Sequence, residues 1–138
     1  MKVVVHVDGG ARGNPGPAAA GCVISAPDGQ TLGEHAELLG RTTNNVAEYR
    51  ALLLGLAKAR ELGAGEVEVI GDSELIAKQV LGRYKVKNAA LRPLYQQALA
   101  AFEDFEKWSI RTVPRAQNAD ADALVNAALD QARAANRI

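Results

Sequence analysis

Cysteine, aromatic residues and long apolar runs are all scarce in this sequence of 138 residues. Cys22 is the only cysteine, which excludes an internal disulfide and is typical of a protein in a reducing compartment. The few apolar residues before Asp8 are too short a run for a signal peptide or a membrane span. We therefore expect a cytoplasmic protein with no association with a membrane.

An excess of charge of either sign is also lacking, since Lys and Arg number 16 and Asp and Glu number 16. Composition alone gives no general attraction to nucleic acid, so any such binding must come from a local patch. No P-loop signature is present, which leaves nucleotide hydrolysis of that type unsupported. Apolar residues make up 48% of the chain, enough for one hydrophobic core. We expect residues 1–138 to form a single domain and a monomer.

The spacing of apolar residues predicts an α/β fold. Three strands are predicted at 3–7, 18–26 and 30–39, and their short connections force antiparallel pairing. The remaining predicted elements are a helix over 46–63, a strand at 66–70, helices over 73–81 and 91–107, a strand at 108–113 and a helix over 121–135. Strands joined through helices run parallel. The order βββαβα(α)βα therefore predicts a five-stranded mixed sheet, three antiparallel strands and then two parallel ones, flanked by helices.

Four carboxylates stand at the ends of predicted elements. Asp8 ends the first strand, Asp72 ends the fourth, Glu48 lies one turn into the first helix, and Asp122 lies in the first turn of the last helix. If the fourth strand pairs with the first, Asp8 and Asp72 lie side by side at the carboxyl ends of both strands. Clustered carboxylates repel one another unless a cation neutralises them. Oxygen ligands suit Mg²⁺ or Mn²⁺, and two such ions can promote phosphodiester hydrolysis.

Each carboxylate also has an ordinary structural interpretation. Asn45 and Glu48 have the spacing of a capping box, and Asp72 with Ser73 is typical of a helix start. Asp122 suits the positive end of the last helix, and its neighbour Asp120 suits it equally well. Asp8 itself fits a turn. The sequence leaves these interpretations open beside the metal site.

Three segments are predicted to face a substrate. The loop at 13–17 is stiff and rich in glycine, so a ligand can approach its backbone closely. Residues 42–45 place four hydrogen-bonding side chains at a helix start, where backbone N–H groups bind phosphate. The segment "RYKVKNAALR" at 83–92 has four basic residues and no acid, which suits a phosphate backbone. For residues 42–45, the alternative is that these side chains only cap the helix. For residues 83–92, the alternative is a solvated loop with no ligand.

Four segments resemble the ribonuclease H type 1 family, in the family order and over nearly the whole chain: "HVDGGARGNPGP", "TTNNVAEYRALLLGL", "VIGDSELIAKQVLG" and "NADADALVNAAL". The resemblance implies an endonuclease that cleaves the RNA strand of an RNA/DNA hybrid and leaves 5′-phosphate and 3′-hydroxyl ends. It implies two Mg²⁺ ions, or Mn²⁺, held by Asp8, Glu48, Asp72 and Asp122. Asp8 would bridge both ions, and Asp122 would complete the site of the ion that activates water.

The resemblance also selects Asp122 over Asp120, because the family pattern has an Asn four residues before the Asp and a Leu two after it. Asn118 and Leu124 satisfy that pattern. Implied substrate contacts are Asn14, Asn44 and Asn45 on the backbone and sugars of the hybrid, and Thr43 in a pocket for a DNA phosphate. The other residues predicted to contact substrate are Gly9, Ser73, Lys85, Lys87, Arg115 and Asn118.

This chain departs from the family pattern in three places. The loop "VPRAQN" lacks the His that many members carry before the fourth carboxylate, and an Arg such as Arg115 cannot shuttle protons near neutral pH. Glu74 stands where many bacterial members have Gln, and the segment 82–93 is too short for the longer basic protrusion of many members. The alternative function is a non-catalytic nucleic-acid-binding module of the same fold. The presence of all four carboxylates counts against it.

Overall fold

Five strands form one mixed sheet in the computed structural model, which describes residues 1–137. The strands are β1 (Lys2–Ala11), β2 (Gly16–Ser25), β3 (Thr31–Thr42), β4 (Glu66–Gly71) and β5 (Lys107–Thr112). Their order across the sheet is β3-β2-β1-β4-β5. β1 pairs antiparallel with β2 and parallel with β4, while β2 and β3 pair antiparallel and β4 and β5 parallel. The predicted topology is therefore confirmed.

Four α-helices complete the predicted order. They are α1 (Asn44–Glu61), α2 (Glu74–Val80), α3 (Arg92–Phe102) and α4 (Ala119–Ala134), and a short 3₁₀ helix (Arg115–Asn118) precedes α4. α3 ends at Phe102 rather than at the predicted residue 107. The chain turns there, and the N–H of Glu106 donates to the carbonyl of Gly65 at 2.8 Å, which starts β5 beside β4. Pro93 causes no kink, because it lies in the first turn, where its missing N–H costs no hydrogen bond.

The helices cover the two faces of the sheet unequally. α1 packs on β1 and β2 with α2 and α3 beside it, and this face holds the larger core, which includes Val5, Val69 and Leu52. Gly55 lets α1 approach closely, because a Cβ there would lie only 2.7 Å from a methyl group of Val5. α4 packs on the opposite face through Val125 and Leu129. The result is three layers with the sheet in the middle.

Two strands extend further than predicted, and their extension shapes the end of the sheet. β1 runs to Ala11, which pairs with Ala18 of β2, and β3 runs to Thr42. The parallel pairing of β1 with β4 stops at His6 and Ile70. β1 therefore projects past its parallel neighbour and leaves an open edge where the two strands diverge. No helix within residues 1–137 is long and apolar enough to span a membrane.

Candidate active site

Asp8 and Asp72 lie just past the last paired residues of the two central parallel strands. Asp8 follows His6 by two residues, and Asp72 follows Ile70 by two, so the parallel register brings them to the same level. Asp8 also pairs with Gly21 of β2, which holds its backbone in the sheet on the other side. The expected adjacency of these two carboxylates is found.

Glu48 is brought to this edge by α1, and it does not cap the helix. The N-cap is Thr43, whose Oγ1 accepts a hydrogen bond from the N–H of Val46 at 3.3 Å. The capping-box interpretation of Asn45 and Glu48 is therefore wrong. The Glu48 carboxylate instead accepts a hydrogen bond from the backbone N–H of Gly9.

Gly9 is required by the close approach of β1 to the start of α1. A Cβ at this position would overlap the backbone carbonyl of Ala47 and lie 2.5 Å from the backbone nitrogen of Glu48. Any larger residue would therefore separate the strand that carries Asp8 from the helix that carries Glu48. The glycine is part of what places the two carboxylates together.

Asp122 reaches the same edge from the other face of the sheet. It lies in the first turn of α4, and its carboxyl group is within hydrogen-bonding reach of that of Asp8. The Nη2 group of Arg115 donates to Asp122 Oδ1 at 3.0 Å. Its neighbour Asp120 is exposed and lines a different cavity, together with His6. The first turn of α4 therefore places Asp122 beside Asp8 and Asp120 in a separate cavity.

The electrostatics of the cluster oppose negative charge. Burial, with the charges of Asp72 and Asp122, raises the pKa of Asp8 to about 7. Burial, with the charges of Asp8 and Asp72, raises the pKa of Glu48 to about 9. Arg115 lowers both values but does not offset these causes. Full ionisation of the cluster near neutral pH therefore requires a further positive charge.

The donor set fits a hard cation. Asp8, Glu48 and Asp72 each offer a carboxylate oxygen, and these three oxygens lie within 4.8 Å of one another. Carboxylate oxygens without sulfur or imidazole partners are the ligands of Mg²⁺, Mn²⁺ and Ca²⁺. A bound divalent cation would also supply positive charge, which would stabilise the ionised carboxylates and lower their pKa values.

A cleft with a volume of about 390 Å³ holds all four carboxylates. We call it the carboxylate cleft. Its lining consists of Asp8, Gly9, Gly10, Ala11, Arg12, Asn44, Glu48, Asp72, Arg115, Asp122, Val125, Asn126 and Leu129. It runs from the end of β4 along the projecting end of β1, beside α4. An extended anionic ligand can therefore lie along it past the carboxylates.

Two side chains that are predicted to contact substrate, those of Asn14 and Asn44, also accept hydrogen bonds within the protein. Asn14 Oδ1 accepts from the N–H of Asn44 at 3.0 Å, and Asn44 Oδ1 accepts from the N–H of Ala11 at 2.8 Å. These bonds join the β1–β2 turn to the start of α1. The side-chain amide N–H groups of both residues are the parts that can face a ligand. Asn45 is exposed at the same helix start.

The other predicted contacts fall into three groups. Thr43 and Ser73 are the N-caps of α1 and α2, since each hydroxyl accepts from a backbone N–H at 3.3 Å. Lys85 and Lys87 are exposed in the segment between α2 and α3 and do not line the carboxylate cleft. Arg115 lines that cleft.

The structure contradicts the predicted substrate contact of Asn118. It is only 1% exposed, and its Nδ2 donates to the carbonyl of Val7 at 2.8 Å. A side chain buried in this way does not reach a ligand in the cleft. Asn118 instead ties the start of α4 to β1, next to Asp8.

Sequence reasoning missed Arg12, Asn126 and Asp130. Arg12 forms an ion pair with Asp130 at 2.7 Å and hydrogen bonds with Asn126, and both Arg12 and Asn126 line the carboxylate cleft. The sequence carries a partial signal, since Asn126 and Asp130 follow Asp122 at helical spacing. Nothing in the sequence places Arg12 beside them.

Comparison with known proteins gives consistent matches over most of the chain. A family model described as "Reverse transcriptase-like" matches residues 6–128. A bifunctional protein of Mycobacterium tuberculosis is 50% identical over 133 residues, which are 96% of this chain and 36% of that protein. Ribonuclease HI of Halobacterium salinarum is 44% identical over 131 residues, which are 95% of this chain and 66% of that protein.

Solved structures match closely as well. The crystal structure of RNase H1 from Halobacterium salinarum superimposes with a TM-score of 0.93 at 44% identity, covering 95% of this chain and 99% of that one. LC11-RNase H1 in complex with an RNA/DNA hybrid gives a TM-score of 0.90 at 43% identity, covering 94% and 98% of the two chains. The present chain spans about a third of the mycobacterial protein and about two thirds of the halobacterial one.

Proposed function

This chain belongs to the ribonuclease H type 1 family of hydrolases, and we propose that it is an endonuclease that cleaves the RNA strand of RNA/DNA hybrids. The observation that carries the proposal is the cluster of Asp8, Glu48 and Asp72, whose oxygens lie within 4.8 Å of one another in an open cleft. In a member of this family, such a cluster is best explained as a metal site that acts on a phosphodiester.

The proposed metal ligands are Asp8, Glu48, Asp72 and Asp122. Asp8 would bridge two Mg²⁺ ions, Asp122 would complete one site, and Glu48 with Asp72 would complete the other. Two such ions would lower the pKa of an attacking water and would stabilise the departing oxyanion. Water would add to the phosphorus and the bond to the 3′ oxygen would break, which leaves a 5′-phosphate and a 3′-hydroxyl.

The protein's own groups would position the RNA strand. The amide N–H groups of Asn14 and Asn44 are suited to donate to sugar or phosphate oxygens beside the cleft. Contacts of such groups with 2′-hydroxyls are how a protein distinguishes RNA from DNA. Arg115 stays protonated and would contribute positive charge near Asp122, but it cannot act as a general base.

Binding to the hybrid would also use residues outside the cleft. Thr43 and Ser73 stand at helix starts, where the backbone N–H groups favour a phosphate. Asn45 lies beside Thr43, and Lys85 and Lys87 supply an exposed positive segment. Gly9 would contact the hybrid from within the cleft.

The test of this function is cleavage of a labelled RNA/DNA hybrid, with RNA/RNA and DNA/DNA duplexes of the same sequence as controls. We expect the RNA strand of the hybrid alone to be cut, with Mg²⁺ or Mn²⁺ and not with EDTA, and the products to carry 5′-phosphates. Binding of the hybrid without cleavage in either metal would contradict the proposal and favour the non-catalytic binding module.

We further propose that residues 1–138 act as one domain and as a monomer, and that the protein is cytoplasmic. One sheet runs through the described residues with helices on both faces, which supports a single domain; Ile138 lies outside them. The lone Cys22 is buried, as expected of a free thiol in a reducing compartment. Light scattering on the purified chain tests the monomer.

A further inference from the structure

Arg12 lies in the carboxylate cleft, and the proposed hydrolysis gives it no part. Side chains alternate along a strand, so Asp8 and Gly10 share one face of β1, and Arg12 directly follows the last residue of that strand. Asp8, Gly10 and Arg12 all line the carboxylate cleft. At about 3.3 Å per residue, the backbone at Arg12 lies within about 13 Å of that at Asp8. Gly10, which stands between them, has no side chain to block the path. A strand bound at Asp8 can therefore continue along the cleft to Arg12.

α4 holds Arg12 in place from the side. Asp122, Asn126 and Asp130 follow one another at intervals of four residues and lie on one face of this helix. Arg12 Nη2 lies 2.7 Å from Asp130 Oδ1 and donates to the carbonyl and Oδ1 of Asn126 at 3.4 and 3.3 Å. Asn126 Nδ2 in turn donates to the carbonyl of Asp122 at 3.1 Å. The same helix therefore positions a carboxylate and a guanidinium.

The guanidinium of Arg12 has N–H groups that remain available to donate to a ligand. Each hydrogen bond that the Arg12 side chain makes within residues 1–137 uses Nη2, so Nε and Nη1 donate to no protein acceptor there. The side chain is 35% exposed. A planar guanidinium with unused N–H groups matches the geometry of phosphate oxygens.

We propose that Arg12 binds a phosphate of the RNA strand a few nucleotides away from the bond that is cut. This inference rests on the proposed function. The RNA strand is chosen because the cleft that holds Arg12 is continuous with the carboxylates at which the RNA strand would be cleaved. The contact with Asp130 does not preclude phosphate binding, since that carboxylate is 68% exposed and exposed ion pairs are weak.

The competing explanation is that Arg12 only fastens the β1–β2 turn to α4. Three variants separate the two roles. Arg12→Ala removes the cation, Arg12→Lys keeps the charge without the planar fork, and Asp130→Asn breaks the ion pair while keeping Arg12. If the ion pair were the only role, Asp130→Asn would reproduce the effect of Arg12→Ala.

Hybrid binding is measured by fluorescence anisotropy over a series of salt concentrations, with each variant in an Asp8→Asn background that prevents cleavage. We expect Arg12→Ala to weaken binding about tenfold and to lower the slope of log Kd against log salt by about one, as for the loss of one phosphate contact. We expect Asp130→Asn to leave that slope unchanged, and Arg12→Lys to restore it. An unchanged slope in Arg12→Ala, or an equal loss in Asp130→Asn, would overturn the inference.

Steady-state cleavage by chains that retain Asp8 distinguishes failure of this inference from failure of the proposed function. We expect Arg12→Ala to raise KM with little change in kcat, because it removes binding remote from the reacting bond. Cleavage by the parent chain with an unchanged KM in Arg12→Ala would overturn the inference alone. A parent chain that neither binds nor cuts the hybrid would overturn both.

Discussion

Asp8 and Glu48 are carboxylates whose folded surroundings oppose their charge. Burial and neighbouring carboxylates raise their pKa values to about 7 and about 9, from ordinary values of 3.8 and 4.5. A raised folded pKa means that the folded state binds protons more tightly than the unfolded state. Without a divalent cation, the stability contributed by these groups is therefore complete below about pH 4 and is lost as the pH rises through about 7 and then about 9.

Replacement of Asp8 by Asn should remove the loss of stability that ionisation of Asp8 causes. In EDTA at pH 8 we expect Asp8→Asn to be more stable than the parent chain by up to about 4 kcal/mol, since the pKa of Asp8 is raised from 3.8 to about 7 and each unit corresponds to about 1.4 kcal/mol. Near pH 4 the difference should disappear, because Asp8 is then protonated in the folded state. Urea unfolding followed by circular dichroism measures both values. A parent chain that is the more stable of the two at pH 8 would refute the electrostatic account.

Asp120 and Asp122 provide a matched pair for the fourth carboxylate. Asp122 contacts Arg115 and lies beside Asp8, whereas Asp120 is exposed and lines the cavity next to His6. We expect Asp122→Ala to lower the cleavage rate by at least about 100-fold, as for the loss of a metal ligand, and Asp120→Ala to change it less than about twofold. Rates are compared on the same hybrid in Mg²⁺. The reverse ranking would mean that Asp120 is the fourth ligand.

At the scale of the elements, the sequence predicts the type and order of every strand and α-helix but misplaces several ends. β1 continues past Asp8 because β2 pairs with it as far as Ala11, a tertiary pairing that the polar and glycine residues of that stretch do not reveal. α3 stops at Phe102 because the following residues turn to pair beside β4. In both cases a contact distant in sequence overrides the local pattern.

The contact between β1 and α1 can be tested with two adjacent glycines. A Cβ at Gly9 would overlap the backbone at the start of α1, whereas a Cβ at Gly10 would have its nearest neighbour, a methyl group of Val125, at 3.9 Å. We expect Gly9→Ala to destabilise the fold by about 2–4 kcal/mol through overpacking, and Gly10→Ala to change stability by less than about 1 kcal/mol. Urea unfolding of the two variants gives the comparison. Equal effects would mean that α1 does not require the close approach at Gly9.

At the scale of the whole molecule, the topology is what assembles the cluster. Parallel pairing of β1 with β4 brings Asp8 and Asp72 to one edge, and helices on opposite faces add Glu48 and Asp122. This much follows from the order of elements in the sequence. Net charge is zero, and the four carboxylates share the lining of the cleft with Arg12 and Arg115.

Other parts of the site depend on how the layers dock and could not be predicted. Asn118 matches a family position, but only the docking of α4 on β1 buries it against Val7. Arg12 has no functional signal of its own until α4 places Asn126 and Asp130 beside it. Side-chain burial and ion pairs between layers are set by packing, which a single sequence does not encode in a local pattern.

The most direct test of the whole account is the cleavage rate of the RNA strand of a hybrid by the parent chain and by Asp8→Asn, in Mg²⁺ and in EDTA. We predict metal-dependent cleavage by the parent chain and none by Asp8→Asn, whose fold is verified by the unfolding measurement above. Turnover by Asp8→Asn at a rate close to that of the parent chain would contradict the claim that these carboxylates form the catalytic metal centre.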